Sequence, residues 1–189
     1  MGHSQAGKKL THDRIVSIAA RRFREHGIDG LSINDLMKEA GLTHGGFYKH
    51  FESREQLVAE ALAAAFAGYD SPERASPVTL EALVAEYLSP THRDAIGFGC
   101  AVSALVNDVG RVQGEARDLY TSKLRSNVDQ IAALLVADKE SDSKRRDAIV
   151  AFSTMVGALG LARAVSDSDL SSEILEVARE SLLHTLSAK

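Results

Sequence analysis

Apolar residues recur at three- and four-residue intervals along almost the whole chain, and that period predicts helices from end to end. In THDRIVSIAARRFREHG, Ile15, Ile18, Ala19 and Phe23 fall on one face, with Ile28 just beyond it. Thr11 stands as the N-cap of that helix and Gly27 as its stop. Next, Ile33, Leu36, Met37 and Ala40 form an apolar stripe against the polar Asn34, Asp35, Lys38 and Glu39. Ser32 can cap the free N–H groups at its start, and Gly41 tolerates the left-handed conformation of a helix stop. Thr43 then caps a second short helix carrying Phe47, Tyr48, Lys49, His50 and Phe51. Helix, short glycine-containing turn and helix is the pattern of a helix-turn-helix, which makes DNA the leading partner.

Ser53 caps a longer helix, Arg54 to about Tyr69, whose stripe is Leu57, Val58, Ala61, Leu62, Ala65 and Phe66. Asp70–Pro77, with two prolines and two serines, reads as a linker or a bend. Beyond it, Thr79–Leu88 is short and amphipathic, and Ser89–Gly99, with Pro90, Gly97 and Gly99, reads as irregular. Cys100–Val109 is apolar up to Gly110. Gln113–Val136 is the longest periodic segment, with Ala116, Leu119, Tyr120, Leu124, Val128, Ile131, Leu134 and Leu135 inward. Asp138–Lys144 is loop-like, and Lys144–Val165 and Leu170–Leu186 are the last two helices. Ala151–Val165 is apolar almost all round and includes Gly157 and Gly160; a helix of that kind needs neighbours on every side. With the amphipathic Leu170–Leu186 it reads as half of a symmetric four-helix interface in a twofold homodimer, against the alternative of a large single-chain core. There is no internal repeat and no strand flanked by hairpin turns, so the fold class is all-α, with about nine helices.

Composition narrows the reading. A chain of 189 residues, 44% hydrophobic and 25% charged, is long enough for a real core. No apolar run is expected to span a membrane, and MGHSQAGKKL lacks the apolar core of a signal peptide, so a cytoplasmic location is expected. The single cysteine, Cys100, rules out an intrachain disulfide and a multi-cysteine metal site. His44 and His50 lack a third ligand in view, so neither a metal nor a cofactor is expected. Net charge is −4, but residues 1–60 carry +1 and the rest −5, which favours the N-terminal part as the DNA-facing one. No GxSxG, HExxH, Walker loop or dinucleotide fingerprint occurs, and Gly97–Cys100, GFGC, lacks the third glycine and a preceding strand. An enzyme is therefore not expected and no residue is assigned as catalytic; a thiol enzyme built on Cys100 is the remote alternative.

At LTHGGFYKHFESREQL the sequence resembles the TetR (tetracycline-repressor) family of bacterial transcriptional regulators. The family's motif is met by Gly41, Leu42, Thr43, Gly45, Tyr48, His50, Phe51, Glu55 and Leu57, and Arg54 stands where the family usually has lysine. Upstream, Ala19, Phe23, Gly27, Ser32, Ile33, Leu36 and Ala40 also fall at the family's positions, so the resemblance covers about Thr11 to Leu62. It implies a homodimer with two DNA-binding modules, a palindromic double-stranded operator, and repression relieved when a small-molecule effector binds. The implied division is residues 1–10 as a disordered arm, 11–53 as the helix-turn-helix domain and 54–189 as an effector-binding and dimerisation domain.

On a twofold dimer the half-sites would sit one or more turns, ~34 Å each, apart. Thr43–His50 is the expected reading segment. By resemblance Tyr48 contacts a phosphate or a base edge, and Lys49, His50 and Arg54 contact phosphates. His50 could instead cap or pack. Thr43 and His44 lie at a helix start, where side chains reach base edges, and Ser32 is counted with the DNA-facing residues. Gly45 and Gly46 each cost up to ~1 kcal/mol relative to alanine inside a helix, which suggests that their missing side chains let the backbone approach DNA. Phe47 and Phe51 read as core. For the effector the candidates are Tyr87, Phe98, Cys100, Val102, Leu105 and Tyr120, which could equally be core. Cys100 has two readings: a reactive thiol at a helix start, giving a redox- or electrophile-sensing repressor, or a small buried hydrophobe.

Overall fold

The computed structural model describes residues 5–69, 79–135 and 141–187. The expected linker Asp70–Pro77, residues 1–4 of the expected arm, Val136 and residues 138–140 lie outside these. Helix α1 spans Gln5–His26 and so starts seven residues before His12, the first helical residue that Thr11 as N-cap implies. The segment 5–10 is therefore helical and not a disordered arm. Lys9 pairs with Asp13 one turn on at 2.6 Å, and Thr11 donates from its hydroxyl back to the Gly7 carbonyl at 3.0 Å instead of capping. Gly27 ends the helix with φ 78°, a conformation that side chains resist.

Helix α2 spans Ile33–Glu39. Ser32 caps it as expected, accepting from the Asp35 N–H at 3.1 Å. The turn closes at Gly41, φ 69°. The second helix of the motif, His44–Lys49, is a 3-10 helix. Thr43 makes no side-chain cap bond there, so that expectation is corrected. Two adjacent glycines at its start explain why α-helical winding does not set in. Helix α3, Arg54–Tyr69, begins with Ser53 accepting from Gln56 N–H at 3.2 Å.

The C-terminal part contains α4 (Leu80–Tyr87), α5 (Pro90–Asp94), α6 (Ala101–Ala104), α7 (Val106–Val109), α8 (Glu115–Leu134), α9 (Ser141–Ala164) and α10 (Ser168–Ser187). Among the described residues there is no strand. The stretch expected to be irregular holds α5, because Ser89 accepts from the His92 N–H at 3.1 Å and Pro90 occupies a first-turn position where its missing donor costs nothing. The segment Cys100–Val109 is broken in two at Leu105, φ −116° and ψ 12°.

Helix α3 joins the two parts. One side packs on α1 and the other on α8, while α8 packs on α9 and α9 on α10. A single core runs from Ile15 through Leu62 and Phe66 to Leu159 and Leu182. The boundary expected between residues 53 and 54 thus falls at the start of a helix that both parts share. Against expectation, α9 is long and apolar enough, by length and composition, to cross a membrane. Its packing gives the reason for that composition: Ala151, Phe152, Met155 and Leu159 are buried, and Val150 and Leu161 form part of an exposed apolar face.

Candidate nucleic-acid interface

Along His44–Phe51, Phe47 and Phe51 are buried one turn apart while the residues between them are exposed or half-buried. Phe47 and Phe51 turn inward and stack at 5.2 Å in the core of the three-helix module. Tyr48 meets Phe47 edge-on at 5.2 Å and is 67% exposed. Thr43, His44, Gly45 and Lys49 are exposed beside it. A Cβ built on Gly45 would meet nothing within 4 Å, and one on Gly46 would touch only Met37 Cε at 3.5 Å and Thr43 Oγ1 at 3.9 Å. The fold therefore does not require either glycine, and both leave bare backbone on the outer surface.

The early start of α1 adds to this surface. Lys8 and Thr11 line a groove of about 910 Å³ together with Thr43, Tyr48, Lys49 and His50. Below it His12 stacks on Phe51 at 4.5 Å and its Nε2 lies 2.5 Å from Glu60 Oε2, which ties α1 to α3. His50 sits at the edge of this cluster, 6.2 Å from His12 between ring centres. Burial, followed by the neighbouring His12, Lys8 and Lys49, pushes the His50 pKa down from its ordinary value.

Arg54, for which the resemblance implied a phosphate contact, makes bonds within the module. Its Nη2 donates to the carbonyls of Ile28 at 2.5 Å and Leu31 at 3.2 Å, so the guanidinium clamps the α1–α2 turn. Ser32 is exposed, with its hydroxyl committed to Asp35. The arginines of α1 also make internal ties. Arg21 and Arg22 both reach Glu39 on α2, at 2.6 and 2.8 Å, and Arg24 donates to the Gly97 carbonyl at 2.7 Å. Asp108 of α7 accepts from the Ile28 N–H at 2.9 Å, so the peptide groups around Ile28 are held from both the C-terminal part and α3.

The six candidate effector residues differ in exposure. Tyr87, Cys100, Val102 and Leu105 are buried, whereas Phe98 is 71% exposed. Tyr120 donates to the Val102 carbonyl at 2.9 Å, and burial pushes its phenol pKa up. Cys100 is 3% exposed at the start of a four-residue helix, which removes both the access and the long helix dipole on which its reactive reading depended. Sequence reasoning missed His92, whose Nδ1 lies 2.8 Å from the Tyr87 carbonyl and whose Nε2 accepts from the Cys100 N–H at 3.0 Å. These two bonds fix a neutral ring protonated at Nδ1. Arg163 of α9 closes the cluster by donating to the His92 and Arg93 carbonyls at 2.7 and 2.9 Å. The only sequence sign of it was a Ser-Pro helix start at Ser89.

An all-helical chain that carries a helix-turn-helix on a larger helical body has the architecture of a DNA-binding transcriptional regulator. Residues 15–61 match the family model described as bacterial regulatory proteins, tetR family. The chain is similar to the HTH-type transcriptional repressor KstR2 of Rhodococcus jostii, 29% identical over 151 residues, which cover 75% of this chain and 72% of that one. Its fold is similar to that of a TetR transcriptional regulator from Chloroflexus aurantiacus, with TM-score 0.76 and 23% identity over 96% of this chain and 97% of that one. It is also similar to AibR, solved with isovaleryl coenzyme A and operator DNA, with TM-score 0.63 and 16% identity over 90% and 97% of the two chains. Over residues 15–61 the chain is thus similar to the tetR family of bacterial regulatory proteins, and over most of its length it shares the fold of TetR transcriptional regulators.

Proposed function

We propose that this protein is a repressor that binds a palindromic operator as a homodimer and leaves it when a small organic molecule binds the C-terminal part. The observation that carries the reading is the surface of His44–Lys49: Tyr48 and Lys49 exposed, the backbone bare at Gly45 and Gly46, and Phe47 locked beneath. On this reading Tyr48, Thr43 and His44 meet base edges or phosphates, and Lys8, Lys49 and His50 meet phosphates along the adjoining groove. Arg54 and Ser32 act by holding the module's geometry.

Dimerisation is assigned to α9 and α10. Val150 and Leu161 on α9 and Leu170 and Val177 on α10 are exposed apolar side chains, and Gly157 and Gly160 leave room for close approach of a second helix. Such a dimer acts in the cytoplasm, where its DNA is. Signals from the C-terminal part reach the reading surface through the contacts of Asp108 with Ile28 and Gly97 with Arg24. That AibR is solved with isovaleryl coenzyme A and operator DNA supports a small-molecule effector here. Footprinting of the purified protein on the intergenic DNA upstream of its own gene tests the reading. Two protected half-sites related by a dyad are expected; absence of protection there and on random genomic fragments would overturn it.

A further inference from the structure

Beside the reading surface, a second groove of about 700 Å³ opens between α1, α3 and the loop before α6. Its volume is in the range of small-molecule sites, and its floor is apolar, formed by Val16, Ala20, Ala64 and Gly68. Phe98, 71% exposed, lines it as an apolar wall.

One end of the groove is cationic in a specific way. Arg24 is more than half buried, and burial pushes its pKa down. Its Nε donates to the Gly97 carbonyl, but among the described residues no carboxylate forms an ion pair with its guanidinium. Glu25, which acts on it from a distance, is held by Arg22 at 2.8 Å. Arg21 nearby is already paired with Glu39 at 2.6 Å. A partly desolvated guanidinium without a counter-ion costs stability unless an anion completes it. The opposite end carries Asp13, which Lys9 holds at 2.6 Å.

We propose that this groove binds an amphipathic organic anion, with its carboxylate on the terminal nitrogens of Arg24 and its apolar body on Val16, Ala20, Ala64 and Gly68 beside Phe98. The site lies outside the C-terminal core and touches the Arg24–Gly97 link between the two parts of the chain. Occupancy is thereby coupled to the placement of α1, and this consequence alone rests on the repressor reading.

Dodecanoate is a suitable probe, used with the full-length protein in calorimetric titration. One dodecanoate per chain is expected, with dodecanol and dodecyltrimethylammonium at least tenfold weaker. Gly68→Phe provides a plug, since Gly68 is exposed near the end of α3 and a Cβ there meets nothing within 4 Å; urea unfolding of the variant checks that it folds. It should abolish the titration while leaving operator binding without dodecanoate unchanged, and Arg24→Gln should weaken the titration at least tenfold. No dodecanoate binding, equal binding of the cationic probe, or wild-type titration by Gly68→Phe would each overturn the site. If operator binding is missing in every protein while Gly68→Phe still blocks dodecanoate, the site stands and the repressor reading fails.

Discussion

The reading surface of the N-terminal module and the packed interior of the C-terminal part use similar residues in opposite ways. In the module, Tyr48 projects from a short element whose neighbour Phe47 is fully buried, so one residue supplies contact and the next supplies stability. In the C-terminal part, Tyr87, Val102 and Leu105 are buried, and the polar groups of His92 and Arg163 are spent on backbone carbonyls and the Cys100 N–H. A surface for a rigid, charged partner can be built from projecting groups on a fixed core. Residues meant for an apolar guest are chemically the same as those of the core around it, so position alone separates them.

The contrast can be broken most forcefully in the interior. Leu105→Ala should cost about 2–5 kcal/mol in urea unfolding, as a large-to-small change at a fully buried site, while operator affinity of the folded protein stays within about twofold. A lost operator affinity at full folding would place Leu105 in signalling instead of packing. A smaller effect separates two cations that resemblance groups together. Arg54→Ala should lower stability by about 1.5 kcal/mol through its two carbonyl bonds and leave the salt dependence of DNA binding unchanged. Lys49→Ala should leave stability within about 0.5 kcal/mol and reduce the slope of log affinity against log salt by about 1. Reversed outcomes would return Arg54 to the phosphates.

The smallest expected effect is a pH dependence at His50. Because burial lowers its folded pKa below the unfolded value of about 6.5, the unfolded chain binds more protons, and stability is lost as pH falls through that value toward the lowered one. A phosphate contact favours the charged ring, so operator binding takes up a proton and affinity rises from pH 8 to pH 6, by no more than about tenfold per unit. His50→Gln should flatten both trends, measured by thermal unfolding and by fluorescence anisotropy.

The same contrast explains what the sequence made legible. The stripe Leu57, Val58, Ala61, Leu62, Ala65 and Phe66 is buried as its period implied, and Ser32, Gly27 and Gly41 punctuate the module at the expected points. These are local signals, carried by residues within one or two turns. The 3-10 winding of His44–Lys49 was foreshadowed by Gly45-Gly46 but read as a cost to a regular helix. Helix α5 was hidden because Pro90, Gly97 and Gly99 look like loop residues; Pro90 in fact starts a helix, and a Cβ at Gly99 would stand only 2.8 Å from the His92 ring, so the glycine makes room for it. The roles of Arg24, Arg54 and Arg163 depend on carbonyls 73, 26 and 70 positions away, which no periodicity reveals.

The most direct measurement is operator affinity by anisotropy for wild type, Tyr48→Ala and Gly46→Ala, with urea unfolding of each in parallel. If His44–Lys49 is the reading surface, both variants unfold within about 0.5 kcal/mol of wild type, while affinity falls by about tenfold or more. Unchanged affinity in both variants, with the wild type bound to the operator, would contradict it and place the DNA contact elsewhere on the chain.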